Sequence, residues 1–235
     1  MVRLPSLSAF FPAYNEEPNL VRMYESLSAT LPQVAAEYEI IIVNDGSRDG
    51  TGATADRLAK EDPRVRHIRH ATNLGYGAAV ADGFAASRYE YIFFTDGDNQ
   101  FDVSQLALLV PFAEEFDAVI GYRIHRQDHF IRLVNAHAWN RLVGWAFGLH
   151  VKDIDCAFKL IRRSALPAGR LESSGAMIST ELLVRLVRAG CSIREVGVLH
   201  QPRVAGKQTG ANPRVVLRAF RELYAFRRKL RREGP

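Results

Sequence analysis

The 235-residue sequence has only two cysteines, Cys156 and Cys191, and neither belongs to a CxxC pair or a Cys/His cluster. This excludes a disulfide framework and a cysteine-based zinc site, so we predict two buried thiols. No apolar run approaches the ~20 residues that a membrane-spanning helix needs. The apolar stretch before Asn15 is too short for a secretory signal. We therefore expect a cytoplasmic protein.

The sequence also lacks linkers, repeats and low-complexity blocks, and its 47% hydrophobic and 24% charged residues are typical of a globular protein. The charge is uneven. Residues 203–235 hold ten Lys or Arg and two Asp or Glu, whereas the first 202 residues carry a net charge of −3. Such a basic tail favours an anionic partner, although a solvated helix is an alternative. No RNA or DNA motif accompanies it, so we expect no nucleic-acid binding.

β-rich runs alternate with amphipathic helical stretches along most of the chain. This alternation predicts βαβ units and an α/β fold with a mostly parallel sheet flanked by helices. The predicted strands are 7–11, 39–44, 64–70, 91–95, 118–121, 157–162 and 192–199. The predicted helices are 18–31, 51–60, 76–87, 103–114, 129–150, 179–189 and 213–232. We expect one unit, with a catalytic domain over 1–212 and a basic amphipathic helix over 213–235.

Polar and glycine-rich loops follow four of these strands, at residues 15–18, 44–51, 72–77 and 96–100. In open α/β sheets the carboxyl ends of the strands form the ligand site, so these loops should converge. The most informative loop brings Asp96 and Asp98 to the end of an apolar strand with no obvious cation nearby. Two carboxylates in this position suit Mg²⁺ or Mn²⁺ completed by substrate phosphates. Turns are rich in Asp, so the pair alone is a weak signal.

The order and separation of several motifs strengthen that signal. The ordered set resembles the inverting glycosyltransferases of family 2, and within them the dolichyl-phosphate mannose synthase-like, polyprenyl-phosphate branch. The resemblance covers nearly the whole chain, since residues 121–123, 155–159 and 203–207 also match that branch. The motifs are Pro12-Ala13-Tyr14-Asn15-Glu16, Val43-Asn44-Asp45-Gly46-Ser47, Asn73-Leu74-Gly75 and Asp96-Gly97-Asp98-Asn99-Gln100.

The resemblance implies a GT-A fold and a nucleotide-sugar donor, either a GDP- or a UDP-hexose. It implies that Pro12, Tyr14 and Glu16 line the nucleotide pocket and that Asp45 contacts the base or the ribose. Position 44 is Asn where the family often has Asp. This departure leaves the base selectivity open.

The resemblance also implies a divalent cation, Mg²⁺ or Mn²⁺. Asp96 would then face the ribose or the metal, while Asp98 and Gln100 would hold the metal on the diphosphate. Gln208-Thr209 follows Lys207 where many members have Ser, so the shape of that phosphate loop stays open.

The acceptor decides which further residues the reaction needs. A hydroxyl acceptor requires a general base, whereas a polyprenyl phosphate is already ionised and requires cations. For a phosphate acceptor the candidates are Arg123, Arg203 and Lys207. Asp155 has two interpretations: it is a base for a hydroxyl acceptor, or it orients Arg123. We favour the second, and we regard Asp98, Asp155 and Arg123 as the catalytic candidates.

A polyprenyl acceptor stays in the bilayer, so the enzyme must reach a membrane surface. The segments 129–150 and 213–232 are candidate interfacial helices, with Val216, Phe220, Leu223 and Leu230 forming the apolar face of the second one. An ordinary helix packed on the sheet is the alternative for 129–150. We expect peripheral contact with an anionic membrane at its cytoplasmic face. The rival functions are transfer to a saccharide or small-molecule hydroxyl and a non-catalytic nucleotide-sugar or membrane-binding module.

Overall fold

A computed structural model of the chain describes residues 2–124, 130–173, 175–202 and 213–233, and describes residues 130–137, 213–220 and 233 by their backbone alone. Within this part, a seven-stranded sheet has the order β3-β2-β1-β4-β6-β5-β7. The strands are β1 (Leu4–Ala13), β2 (Ala35–Asn44), β3 (Val65–Arg69), β4 (Tyr91–Thr95), β5 (Ala118–Ile124), β6 (Phe158–Arg162) and β7 (Ile193–Leu199).

The first four strands pair in parallel, as do β5 and β7, whereas β6 is antiparallel to both of its neighbours. The mostly parallel α/β sheet that the sequence predicts is therefore confirmed, with one antiparallel strand in its middle. Every predicted strand is present, and the edges differ by a few residues. The helices are α1 (Glu17–Val34), α2 (Thr51–Glu61), α3 (Tyr76–Ala86), α4 (Phe130–Phe147), α5 (Met177–Arg188) and α6 (Pro213–Glu233).

The prediction of an amphipathic helix over 103–114 is wrong. The segment forms two 3₁₀ turns, Val103–Leu108 and Val110–Phe112, and Asp102 caps the first through Ser104 N. Pro111 explains the break, because a proline inside an α-helix has no N–H to donate and clashes with the preceding turn.

An aromatic cluster fills the centre of the sheet under the polar loops. The ring of Phe10 on β1 lies 5.1 Å from that of Phe94 on β4 and 4.8 Å from that of Phe84 on α3. Gly83 permits this approach, since an added Cβ there would lie 2.2 Å from the Phe10 ring. The buried cluster fixes β1 and β4 side by side, and with them the loops at their carboxyl ends.

The two thiols differ in burial. Cys156 is fully buried, as predicted, and burial raises its pKa to about 12. The prediction is wrong for Cys191, which is partly exposed at the loop before β7.

The apolar face of α6 packs against the rest of the protein. Leu223, Phe226 and Leu230 are buried, and the Phe226 ring lies 5.5 Å from that of Phe147 on α4. Leu223 and Leu230 therefore do not form an exposed membrane-facing surface, contrary to the prediction, because other parts of the protein bury them. No helix in the described ranges combines the length and apolar character needed to cross a bilayer.

Candidate active site

The loops after β1, β2 and β4 meet at one edge of the sheet. Asp45 N donates to Ala13 O over 2.9 Å, which joins the ends of β2 and β1. The loop after β4 lies equally close to β1, since a Cβ added at Gly97 would stand 2.7 Å from Pro12 O. The predicted convergence of the strand-end loops is therefore present.

The loops after β1 and β2 are joined by several backbone-to-side-chain hydrogen bonds. Asn15 N donates to Ser47 Oγ (3.0 Å), and Arg48 N donates back to Asn15 Oδ1 (2.9 Å). Glu16 N donates to Thr51 Oγ1 over 2.9 Å. These bonds satisfy loop N–H groups that no helix or strand uses and hold the two loops as one surface.

The residues predicted to line the nucleotide pocket lie on this surface. Pro12 is half-buried at the end of β1, and Tyr14 is 43% exposed. Glu16 is half-buried, and its Oε2 accepts a hydrogen bond from Asn19 Nδ2 over 2.6 Å. The structure thus brings the three side chains to one edge, and their contact with a nucleotide stays a prediction.

Asp45 has a positioning role that the sequence did not reveal. Its buried carboxylate accepts hydrogen bonds from Leu74 N (2.8 Å) and Gly75 N (2.9 Å) and from His70 Nδ1 (2.7 Å). His70 Nε2 lies 3.0 Å from Asp82 Oδ2 on α3. Asp45 therefore holds the loop before α3, whether or not it also contacts a base or ribose.

Asp96 lies at the end of β4 and is joined to α3. The hydroxyl of Tyr76 donates to Asp96 Oδ1 over 2.8 Å, a contact that the sequence did not predict. Burial, and then the negative charge of Asp98, raise the pKa of Asp96 to about 7, although the Tyr76 hydrogen bond and the charges of Lys159 and Arg123 act in the opposite direction. The loop thus concentrates negative charge where solvation is poor.

Asp98 and Gln100 continue the same loop. Gln100 N donates to Asp98 Oδ1 over 3.1 Å. The Gln100 side-chain Nε2 donates to Gln201 O (3.0 Å), and Gln201 N donates to Gln100 O (2.8 Å). Gln100 therefore fixes the chain just before residue 203, and its predicted role as a metal ligand stays a prediction. Arg203 and Lys207 lie outside the described residues.

The chemistry of this loop fits a divalent cation. Asp96 and Asp98 supply carboxylate oxygens, the ligands that Mg²⁺ and Mn²⁺ prefer. Burial and the charge of Asp98 raise the pKa of Asp96, so a cation bound beside the pair would offset an unfavourable negative charge. Within the described ranges, no group of three or more His, Cys, Asp or Glu side chains could hold a metal by itself. The pair suits a cation whose remaining ligands come from a bound diphosphate and water.

Arg123 is fixed by an aspartate other than the predicted one. Its Nε and Nη2 donate to the two carboxylate oxygens of Asp153 over 2.7 and 2.8 Å, and its backbone N donates to Asp153 Oδ2 over 3.2 Å. Burial alone lowers the pKa of Arg123, but the hydrogen bonds and charge of Asp153 outweigh burial and raise it. The prediction that Asp155 orients Arg123 is therefore corrected, since Asp153 makes the bidentate pair.

Asp155 follows Asp153 in the same turn and lies close to Arg123 and Tyr76. Its negative charge raises the pKa of Arg123 and contributes to the raised pKa of the half-buried Tyr76, for which desolvation of the hydroxyl is the main cause. Asp155, Arg123 and the Asp96 loop therefore share one electrostatic environment at the edge of the sheet.

Comparison with known proteins gives a consistent picture. A family model described as glycosyl transferase family 2 matches residues 8–169. Glycosyltransferase AglD of Haloferax volcanii is 36% identical over 210 residues, which are 84% of this chain and 33% of that protein. Polyprenol monophosphomannose synthase of Mycolicibacterium smegmatis is 31% identical over 218 residues, which are 86% of this chain and 81% of that protein. These names confirm the resemblance to the polyprenyl-phosphate branch.

Other relatives are matched over only part of their length. Dolichyl-phosphate beta-glucosyltransferase of Drosophila melanogaster is 33% identical over 179 residues, which are 67% of this chain and 55% of that protein. This chain thus spans about half of that relative and about a third of AglD.

Solved structures share the fold. Mannosyl-3-phosphoglycerate synthase from Rubrobacter xylanophilus superposes with a TM-score of 0.72 at 17% identity, over 98% of this chain and 75% of that one. Glucosyl-3-phosphoglycerate synthase from Mycobacterium tuberculosis, in complex with Mn²⁺ and UDP-glucose, gives a TM-score of 0.67 at 20% identity, over 93% and 79% of the two chains. These similarities confirm the GT-A fold. The family model matches most of the residues of this chain, and two relatives exceed 30% identity over more than two thirds of it. The chain therefore belongs to glycosyltransferase family 2.

Proposed function

We propose that the protein transfers a hexose from a nucleotide sugar to a polyprenyl phosphate, with inversion, in a reaction that depends on Mg²⁺ or Mn²⁺. The observation that carries this proposal is the pair Asp96 and Asp98, set at the carboxyl edge of the sheet beside Arg123. The names of the relatives support the polyprenyl phosphate acceptor. The complex of the mycobacterial synthase with Mn²⁺ and UDP-glucose supports the donor class and the cation.

Different residues of this chain bind the donor and the acceptor. Tyr14 and Glu16 would bind the nucleotide, and Asp96 and Asp98 would hold the cation. Tyr76 fixes the orientation of the Asp96 carboxylate by its hydrogen bond. When bound, the cation supplies charge stabilisation for the diphosphate leaving group. A phosphate oxygen of the acceptor forms the new bond to the anomeric carbon as the bond to the diphosphate breaks, and no proton has to be removed.

The acceptor phosphate needs cations beside this edge. Arg123 is one, because its guanidinium is held in a fixed plane by Asp153. We propose Arg203 and Lys207 as the others, since Gln100 and Gln201 bring the chain to the acidic loop just before residue 203. Their side chains would bind the phosphate as the sugar arrives.

The role of Asp155 separates this function from transfer to a hydroxyl acceptor. If Asp155 is a general base, Asp155→Asn should lose nearly all turnover while donor binding stays intact, since general-base catalysis contributes about 10²–10⁴-fold. With an ionised phosphate acceptor we expect a smaller loss, seen mainly as weaker acceptor binding. Initial rates at varied acceptor concentration distinguish the two.

We further propose that residues 1–212 and 213–235 act as one unit that contacts an anionic membrane peripherally, at its cytoplasmic face. The exposed aromatic residues of α4 and α6 support this contact. Trp145 is 76% exposed and Tyr224 is 71% exposed, and the Arg227 guanidinium lies 5.4 Å from the Trp145 ring centroid. Amphipathic aromatic rings beside arginines suit a lipid headgroup region.

The function is tested by incubating the purified protein with Mn²⁺ or Mg²⁺, a panel of radiolabelled GDP- and UDP-sugars and a polyprenyl phosphate. We expect one label to enter the organic phase, and only when the cation is present. Label in water-soluble products with every donor, and none in the lipid, would refute the proposed acceptor.

A further inference from the structure

Lys159 is a fully buried lysine in the middle of the sheet, and the reaction described above does not use it. It lies on β6, where its partners across the sheet are Phe94 of β4 and Ile120 of β5. Its exposed fraction is 0%. Burying an ammonium group away from water is costly unless other groups compensate it, so the contacts of this side chain indicate its purpose.

The Lys159 ammonium is bound by the turn that precedes β6, residues 153–156. Nζ donates to Ile154 O over 3.2 Å and also to Cys156 O. The ring of Phe94 lies beside it, with its centroid 6.0 Å from Nζ. Lys159 therefore ties the 153–156 turn to the centre of the sheet through two of its carbonyl groups.

The same turn carries the two aspartates of the acceptor side. Asp153 makes the bidentate pair with Arg123, and Asp155 lies close enough to both Arg123 and Lys159 for its charge to act on them. A displaced turn would move Asp153, and with it the guanidinium plane of Arg123. The position of Arg123 thus depends on Asp153, and the position of Asp153 depends on the turn whose Ile154 and Cys156 carbonyl groups Lys159 binds.

We propose that Lys159 is a positioning residue for the acceptor: it fixes the 153–156 turn so that Arg123 and Asp155 face the Asp96 loop, without touching either substrate. The inference rests on the proposed transfer to a phosphate acceptor. The donor residues Tyr14 and Glu16 belong to a loop that is fixed instead by residues 47–51. The charge of Lys159 also acts on Asp96. Loss of Lys159 should therefore weaken use of the acceptor far more than binding of the donor.

The test compares Lys159→Met with Leu160→Ala. Methionine keeps most of the side-chain length but removes the charge and the donors. Leu160 is the next residue of β6, is 1% exposed and points to the other face of the sheet, so its truncation controls for lost stability alone. Donor binding is measured by calorimetry with a nucleotide sugar, and acceptor use by steady-state rates with polyprenyl phosphate.

We expect Lys159→Met to lower kcat/KM for the acceptor by about 10–100-fold, the usual cost of losing a supporting contact, and to change the donor Kd much less. Leu160→Ala should change neither quantity. Lys159→Arg, which keeps a charged donor, should recover part of the loss. If Lys159→Met does not fold, Lys159→Gln replaces it, and the same loss on the acceptor side is expected.

Two results would overturn the inference. One is a Lys159 variant whose acceptor kinetics equal those of Leu160→Ala. The other is a loss of donor affinity as large as the loss on the acceptor side. Failure of the proposed function is recognised separately, because then the wild-type protein itself transfers no sugar to polyprenyl phosphate.

Discussion

The Asp96 carboxyl shows how burial and one neighbouring charge set the chemistry of a residue. Burial and the charge of Asp98 raise its pKa to about 7, whereas the ordinary value is 3.8. In the unfolded chain the group returns to its ordinary value. Between pH 3.8 and about 7, the folded, metal-free protein therefore binds one more proton at Asp96 than the unfolded chain does. The stability that this proton contributes is lost progressively as the pH rises through that range to about 7.

We accordingly predict that Mn²⁺ with a nucleoside diphosphate stabilises the protein more at pH 8 than at pH 6. At pH 6 the cation must displace a proton from Asp96, which weakens its apparent affinity by about tenfold for a group titrating one unit higher. Melting temperatures with and without Mn²⁺ at the two pH values measure this. In Asp96→Asn the pH dependence of the Mn²⁺ effect should disappear. An equal Mn²⁺ effect at both pH values in the wild type would contradict the prediction.

The contact of Tyr76 with Asp96 is visible only in the structure. Tyr76→Phe removes the hydroxyl that donates to Asp96 Oδ1 and keeps the ring. We predict that Mn²⁺ affinity in the presence of a nucleoside diphosphate falls by about 10–100-fold, because outer contacts orient metal ligands. Titration followed by Mn²⁺ electron paramagnetic resonance measures it.

Tyr24→Phe is the matched control for that substitution. Its hydroxyl also donates to an aspartate, Asp62, over 3.1 Å. Tyr24 lies on α1, away from the acidic loop. We expect it to cost about 1 kcal/mol of stability and to leave the Mn²⁺ affinity unchanged. Equal Mn²⁺ affinities in Tyr76→Phe and the wild type would show that the hydroxyl does not orient Asp96.

At the scale of elements, the close approach of two loops depends on a glycine. Gly46 has φ +66° in the loop after β2, and a Cβ there would lie 2.4 Å from the Thr72 carbonyl carbon. We predict that Gly46→Ala displaces the loop before α3, lowers stability by more than about 1 kcal/mol and weakens nucleotide binding. Urea unfolding and calorimetry with UDP or GDP measure the two effects.

Gly190→Ala separates the clash from the backbone strain. Gly190 has a similar φ of +76°, but nothing lies within 4 Å of the position of its Cβ. It should cost about 1 kcal/mol, the usual strain of this conformation, with unchanged nucleotide affinity. If the two variants are equally stable and bind nucleotide equally well, the contact at Gly46 is not needed.

The strands could be predicted from the sequence more reliably than the helices. Strand 91–95 is an unbroken apolar run, which the structure reproduces as Tyr91–Thr95 with every residue buried. Segment 103–114 has helical spacing, but Pro111 breaks it into 3₁₀ turns. For α6 the sequence predicted an apolar face correctly, yet periodicity cannot tell whether a membrane or the protein covers that face. Burial of Leu223 and Leu230 shows that the protein covers it in this part of the helix.

At the scale of the whole molecule, the sheet edge that carries the candidate site could be predicted from the sequence. The hydrogen-bonded pairs of side chains within the site could not. The carboxyl ends of the strands in an open α/β sheet lie at one edge, so the sequence predicts Asp45, Asp96 and Asp98 there. The pairing of Arg123 with Asp153 joins residues 30 positions apart, and the neighbouring Asp155 has the same chemistry. Only the three-dimensional path of the 153–156 turn decides between the two aspartates.

Attachment to the membrane is also a property of the whole molecule. We predict that Trp145→Ser with Tyr224→Ser reduces co-sedimentation with vesicles rich in anionic lipid, because the two exposed rings lose their place among the headgroups. Leu108→Ser, at another residue that is 49% exposed, is the matched control and should bind normally. Binding that ignores both the double substitution and the anionic lipid content would exclude this surface.

The central claim is that Asp96 and Asp98 hold a divalent cation on the donor diphosphate. Anomalous diffraction from crystals soaked with Mn²⁺ and either UDP or GDP tests it most directly. We predict an anomalous peak at about 2.1 Å from a carboxylate oxygen of this pair and within bonding distance of the diphosphate oxygens. A bound nucleotide with no Mn²⁺ at either aspartate would contradict the account.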